Sequence, residues 1–343
     1  MVVYKYCANG NDFLLFHTFI ESDYAPLART LCHRFSGIGA DGLVVVLPIR
    51  QAESRLECSY MWDFYNADGS RAEMCGNASR CVAYYAYSMG LAPAAHQFLS
   101  TFGVIKVSVK HHTVVPISDT NISAKTALVA SNLGRYKNLK ILGTLETLLA
   151  TLQSDLLSTL DSIRALFGEW YFLDTGVPHL VCFVQDSTLV AALGNKAAPL
   201  HKTLFLLMQH LRKHYNANVN LAYIQDQATI ALATYERGVE DITLACGTGM
   251  AACFVVGYKA YHTAQKATLI PPSLEQVELW CEPTRDFIQA ESNKVFCIED
   301  SCSNVLDPAA TESTTIKSSI ENRDGTEEIC LQGMVRCVAM CEV

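Results

Sequence analysis

Apolar and polar positions along the chain fall into two patterns. Short apolar or alternating runs recur at Gly42–Leu47, 55–64, 104–109, 171–174, 180–184, 219–224 and Thr229–Tyr235, and runs of this length predict strands. Two longer segments, 76–89 and 247 to about 261, begin at glycine and are apolar on nearly every face. A helix without a polar side cannot lie on a surface, so each is expected to be enclosed by a sheet. The two open alike, as Cys75-Gly76-Asn77-Ala78 and Cys246-Gly247-Thr248-Gly249, with their cysteines 171 residues apart. This weak internal repeat predicts an α+β fold of two similar lobes. Each lobe is expected to run through strands, a strand ending in a cysteine, and then a central helix, with the site in the cleft between lobes.

Three stretches fall outside the repeat. Residues 139–167 set Leu145, Leu148, Leu149, Leu152, Leu156, Leu160, Ile163 and Phe167 on a helical stripe, expected to pack on the second lobe. Residues 291–328 hold nine acids against three bases amid Ser, Thr and Asn, which predicts a mobile acidic loop. Residues 329–343 alternate as a strand returning to close one lobe, with Cys330, Cys337 and Cys341 as small buried apolar residues. The expected division is an N-terminal lobe over 1–116 with the return strand, a C-terminal lobe over 117–290, and an acidic flexible insertion over 291–328.

Composition narrows the chemistry. The 343 residues are half apolar and 17% charged, enough for two domains with full cores. A net charge of −8 opposes binding to a phosphate backbone, so nucleic acid is not an expected partner. No run approaches the ~20 apolar residues that cross a bilayer, and the N-terminal residues do not read as a signal peptide. The expectation is a cytoplasmic protein without a membrane partner. Fourteen cysteines in so long a chain predict mostly reduced thiols, and the absence of any CxxC pair predicts no metal site.

Gly37-Ile38-Gly39-Ala40-Asp41-Gly42 matches GxGxxG, but a helical pattern precedes it and a strand pattern follows it. A dinucleotide fingerprint needs the reverse order, so no such cofactor is expected. The paired cysteines are more telling. A cysteine where a helix begins faces uncapped amides and the positive end of the helix dipole, which favours its thiolate. Two such helix starts converging on one point form an anion site, to which Asn77 and Thr248 add side-chain donors. A carboxylate held there is stabilised as its α-carbon loses a proton. A thiolate on one face and a thiol on the other would then invert the stereocentre.

With these residues in place, the chain resembles the diaminopimelate epimerase family, the enzymes that interconvert LL- and meso-diaminopimelate without pyridoxal phosphate, for lysine and peptidoglycan precursors. The matching segments are Gly10-Asn11-Asp12-Phe13, Gly37 to Gly42, Asn66-Ala67-Asp68-Gly69-Ser70, Met74-Cys75-Gly76-Asn77, Gly176-Val177-Pro178-His179, Asn218-Val219-Asn220, Tyr235-Glu236-Arg237-Gly238 and Ala245-Cys246-Gly247-Thr248-Gly249. The resemblance implies two pseudo-symmetric lobes, each a strongly curved mixed sheet or barrel around a central helix, and a homodimer. It implies an isomerase with no cofactor and diaminopimelate as small-molecule substrate. It assigns Cys75 and Cys246 as acid and base, with His179 and Glu236 supporting them. Substrate binding falls to Asn11, Asn66, Asn218, Glu236 and Arg237, with Gly76, Asn77, Gly247 and Thr248 as the carboxylate cradle. Arg237 suits a bidentate carboxylate grip and Glu236 an ammonium or a thiol proton.

The chain departs from the family pattern at Val177, where many members have asparagine, and at Ala8 and Ala78, where glycine is usual. Two other readings stand beside this one. A proline racemase relative would perform the same proton transfers on a smaller acid, and a cysteine-based redox or metal-binding protein would use the thiols differently.

Overall fold

A computed structural model describes residues 1–72, 74–101, 103–116, 123–150, 160–283 and 324–343. The first half runs β1 (Val2–Ala8), β2 (Asn11–His17), α1 (Ala25–Leu31), β3 (Gly42–Leu47), β4 (Tyr60–Asn66), α2 (Gly76–Ser88), β5 (Ala95–Ser100), β6 (Gly103–Pro116) and β7 (Ser123–Asn132). The second runs β8 (Lys137–Gly143), α3 (Leu145–Ala150), β9 (Phe167–Asp174), β10 (Pro178–Val184), α4 (Ser187–Leu193), α5 (His201–Tyr215), β11 (Asn218–Asp226), β12 (Thr229–Tyr235), α6 (Gly247–Ala260), β13 (Lys266–Ile270), β14 (Val277–Pro283) and β15 (Glu327–Glu342).

Strands β1 to β7 pair in chain order, β15 lies beside β7, and a β1–β15 pairing closes these eight into a barrel. From β15 the sheet continues through β14, β13, β12, β11, β10 and β9 to β8, a second curved sheet of eight strands that shares β15 with the first. The repeat is visible in strand direction. Pairs β2–β3 and β4–β5 are parallel, as are β10–β11 and β12–β13, while their neighbours are antiparallel. Parallel neighbours require a crossover, and the crossovers β4–α2–β5 and β12–α6–β13 carry the two central helices.

Burial explains why those helices lack a polar face. The first eleven residues of each, Gly76 to Ala86 and Gly247 to Gly257, are all buried. Around α2 the barrel contributes Phe13, Val44, Trp62, Phe98, Val107, Val129 and Val335, and around α6 the second sheet contributes Val181, Ala222, Leu232, Leu269, Leu279 and Leu331. Every residue of β3 is buried because α1 covers the outer face while α2 fills the inner one. Helices α3, α4 and α5 cover the outside of the second sheet.

Several sequence expectations are corrected. Residues 139–143 belong to β8 rather than to the helical stripe, which is described as helix over α3, and a 3₁₀ turn lies at Arg164–Leu166. Leu148, Leu149, Leu160, Ile163 and Phe167 nevertheless bury in one cluster of the second half, whereas Leu152 and Leu156 lie outside the described residues. The strand expected from residue 55 starts at Tyr60, after a 3₁₀ turn over Gln51–Leu56. Neither β4 nor β12 ends in a cysteine. Each is followed by a turn that folds back to form a one-residue bridge, Tyr65 to Arg71 and Tyr235 to Ile242, before its helix begins. The return strand closes the first barrel as expected but also borders the second sheet through β14, and of its cysteines only Cys330 is buried. The acidic loop expected at 291–328 lies outside the described residues up to 323.

Candidate active site

Cys75 and Cys246 are the N-caps of α2 and α6, both in extended backbone conformation. The helices start against each other. A Cβ built on Gly247 would stand 3.4 Å from the Gly76 Cα, and one on Gly76 would stand 3.7 Å from the Gly247 Cα. The two starts are thus in close backbone contact, which brings two sets of unpaired amide N–H groups to one place. Cys75 Sγ accepts from the Ala78 N–H at 3.5 Å, and Cys246 Sγ lies 3.4 Å from the Thr248 hydroxyl. The methyl of Ala78 is fully buried without displacing this cap.

The sequence argument expects depressed thiol pKa values, and here the geometry corrects it. Burial, with the Glu236 carboxylate adding to it, pushes the Cys75 thiol up to about 11 despite the Ala78 and Asn77 amides and Arg80. Burial also raises Cys246, again with Glu236, against the Thr248 hydroxyl and the Gly249 amide. Desolvation of a thiolate outweighs the helix terminus when the sulfur is enclosed. Both sulfurs therefore rest as thiols, each within the field of one carboxylate. Glu236 itself is raised by burial and by Asp41 of the first half.

On the first-half side, Asn77 Nδ2 donates to Asn11 Oδ1 at 2.6 Å, and Asn11 Nδ2 donates to Asp41 Oδ2 at 3.0 Å. Arg34 bridges Asp12 and Asp41 at 2.8 and 2.6 Å, so the Gly37 to Gly42 loop is pinned beside Asn11 rather than opening a helix. Asn66, at the end of β4, donates to Ser70 Oγ at 3.0 Å and is exposed at the same barrel end, opposite Gly42.

On the second-half side, His179 and Asn218 face each other across the parallel β10–β11 pair. Asn218 Oδ1 accepts from the Arg237 N–H at 2.7 Å, and Arg237 Nη1 donates to the Asn216 carbonyl at 3.2 Å. His179 is fully buried, and desolvation with the nearby Arg237 charge lowers its pKa to about 3, so it is neutral. Asn220 sets its tautomer. Asn220 Oδ1 accepts from Thr234 Oγ1 at 2.8 Å, and Nδ2 donates to the Leu180 carbonyl at 2.7 Å and approaches His179 Nδ1 at 3.1 Å. Nδ1 is then the acceptor and Nε2 carries the hydrogen, an assignment made from the hydrogen-bond network. Thr175 Oγ1 donates to the Thr248 carbonyl at 2.9 Å and ties the Gly176-Val177 turn to the start of α6.

The structure thus gathers Cys75, Gly76, Asn77, Asn11, Cys246, Gly247, Thr248 and Glu236 at the facing helix starts, with His179, Asn218 and Arg237 linked to one another beside them. Amides, a guanidinium and one carboxylate there offer partners for groups of either charge. Among the described residues no group of three or more His, Cys, Asp or Glu is arranged to hold a metal ion. Sequence reasoning passed over Asn220, Thr234, Asp41 and Arg80. Asn218 and Asn220 fall on one face of an otherwise apolar strand, and Arg80 is the lone charge in the first turns of a wholly apolar helix; both were readable signals.

The profile of the diaminopimelate epimerase family matches residues 3–121 and 171–282. The chain is 44% identical over 279 residues to the diaminopimelate epimerase of Helicobacter pylori, covering 81% of this chain and 89% of that protein. It is 40% identical over 296 residues to that of Nitratiruptor, covering 86% and 97%. Among solved structures, a phenazine biosynthesis protein of Bacillus anthracis covers the whole chain with a TM-score of 0.59 at 11% identity, over 98% of its own length. A probable proline racemase of Agrobacterium radiobacter also covers the whole chain, with a TM-score of 0.59 at 11% identity over 92% of its length. At that identity the two share the fold alone.

Proposed function

The chain belongs to the diaminopimelate epimerase family, and we propose that it inverts one stereocentre of diaminopimelate by proton transfer between Cys75 and Cys246. It is an isomerase, an amino-acid epimerase. The observation carrying the residue assignment is the meeting of two cysteine-capped helix starts across a Gly76–Gly247 contact. A substrate carboxylate in that amide cradle gains stabilisation as the α-carbon proton leaves and charge spreads onto its oxygens.

The electrostatics suggest how a thiol held above its usual pKa becomes a base. Glu236 raises both cysteines. A substrate ammonium paired with Glu236 cancels that field, and the thiolate becomes cheaper only when substrate is bound. One cysteine passes its proton to solvent, its thiolate then removes the α-proton, and the opposite thiol supplies a proton to the other face. Arg237, fixed through Asn218 and the Asn216 carbonyl, is oriented to grip the distal carboxylate, with Asn11 and Asn66 at the barrel end. Neutral His179, held at Nδ1 by Asn220 and lying beside Asn218 across the β10–β11 pair, supports the second cysteine's surroundings. A charged partner for each end of the substrate favours diaminopimelate over proline.

We further read the protein as a cytoplasmic homodimer serving lysine and peptidoglycan precursor synthesis. Support for the dimer comes from exposed apolar side chains at the end of β15 and the start of β1, where Val338, Met340 and Val2 are all 45% exposed or more.

Incubation with LL-diaminopimelate in heavy water tests the reading by mass spectrometry. Wild type should gain one deuterium at a single stereocentre and produce meso isomer. Cys75→Ala and Cys246→Ala should each lose epimerisation by about 10²–10⁴-fold or more, the worth of a positioned acid or base. Turnover of proline in place of diaminopimelate, or full activity in either variant, would overturn it.

A further inference from the structure

Arg80 lies one turn into α2 and is wholly buried, yet among the described residues no carboxylate pairs with it. Its Nη2 donates to Asn9 Oδ1 and to Asn77 Oδ1, both at 2.6 Å, and its Nε donates to the Gly76 carbonyl at 3.4 Å. Nη1 has no hydrogen-bond partner among the described residues. It is pressed against Gly333 of β15, where a Cβ would overlap it, so the strand is glycine at the point where the guanidinium crosses. Burial brings its pKa down only to about 10, so it stays charged at neutral pH.

A buried cation with only neutral partners is costly, and that cost falls when an anion forms nearby. The anion this site must form is at the other end of the same helical turn. Arg80 lowers the Cys75 pKa, opposing the rise caused by burial and by Glu236 across the cleft. Arg80 in turn senses Cys75 and Cys81 on its own helix, Cys7 on β1, and Glu275 between β13 and β14, while Cys246 faces Cys75 from α6. The guanidinium also heads a directional chain. Arg80 donates to Asn77, Asn77 to Asn11, and Asn11 to Asp41. With each carboxamide oxygen occupied from the cation side, the amide orientations are set, and one N–H of Asn77 and one of Asn11 remain for a substrate carboxylate.

We propose that Arg80 is a positioning residue of the reaction: a buried guanidinium that orients Asn77 and Asn11 through one hydrogen-bond chain and supplies the fixed positive charge against which the Cys75 thiolate forms. This rests on the reading of Cys75 as a proton-transfer thiol.

The test is the rate of iodoacetamide modification at Cys75, followed by peptide mass spectrometry in the full-length protein without substrate, alongside kcat and KM for LL-diaminopimelate. Arg80→Met should slow modification at pH 8 about tenfold, equivalent to one pKa unit, and should lower kcat more than it raises KM. Arg80→Lys keeps the charge and should hold the modification rate within about twofold while losing kcat/KM, because an ammonium cannot fork to Asn9 and Asn77. Asn9→Asp neutralises the guanidinium without emptying its space and should slow modification in the same direction, which decides the matter if Arg80→Met does not fold. Unchanged modification in folded Arg80→Met and in Asn9→Asp reduces Arg80 to a packing residue. Because modification is read without substrate, a wild type that fails to epimerise diaminopimelate would sink the proposed reaction and leave the Arg80–Cys75 result standing.

Discussion

At the scale of single residues, burial rather than identity decides the chemistry. Cysteine at a helix N-cap reads as an activated thiolate, and the sequence argument stops there. Enclosure by two sheets reverses the sign, leaving a thiol at about 11 for Cys75. His179 is equally ambiguous in one dimension, a core histidine or a catalytic support. Its tautomer follows from Asn220, which shares a strand face with Asn218 and takes three hydrogen-bond partners at once. Asn220→Leu should therefore free the His179 tautomer and leave the Leu180 carbonyl and Thr234 hydroxyl unpaired, at a stability cost of about 1–3 kcal/mol. The same variant should lose activity at least tenfold with both cysteines intact. Urea unfolding and kinetic assays check the two halves of this expectation, and a stable, fully active variant would remove Asn220 from the positioning network.

Elements were legible to different degrees. The two central helices could be bounded within a residue or so, because an all-apolar run starting at Cys-Gly has no competing reading. Strands β3 and β12 matched residue for residue, since their runs are bounded by turn residues. Residues 139–143 misled because Leu139 and Leu142 fit a helical spacing extended from α3, while pairing with β9 drew them into β8 instead. Strand β15 shows what an alternating pattern leaves open. Its two ends pair with different halves, and its outer face past Arg336 carries Val338 and Met340 in the open. For the proposed dimer, sedimentation equilibrium should give twice the 37.7 kDa chain mass. Met340→Glu, which puts a charge on that face without touching the barrel core, should return the monomer; a dimer that survives it places the interface elsewhere.

The whole molecule carries a pH signature. Burial lowers His96, which also meets Tyr60, to about 4, and lowers His179 to about 3. Unfolded histidines protonate near ~6.5, so below that pH the unfolded chain binds two protons that the native state refuses. Stability should thus be intact above ~6.5 and fall by about 2.7 kcal/mol per pH unit between roughly 6 and 4 from these two residues alone. Urea titrations across that range should show the slope, and His96→Gln should halve its histidine part. Half that slope would mean that one ring is protonated in the folded protein, and a flat profile that both are.

By itself the sequence determined the units: two buried helices, their cysteine caps, the strand runs around them and the order of the motifs, because periodicity and capping are local properties of the chain. Only the tertiary structure decided that Gly76 touches Gly247, that β15 belongs to both halves, that burial overrides the helix dipole at the sulfurs, and that Arg80 stands uncompensated behind one of them. Those are facts of distance and dielectric between residues far apart in the chain, and no local pattern encodes them.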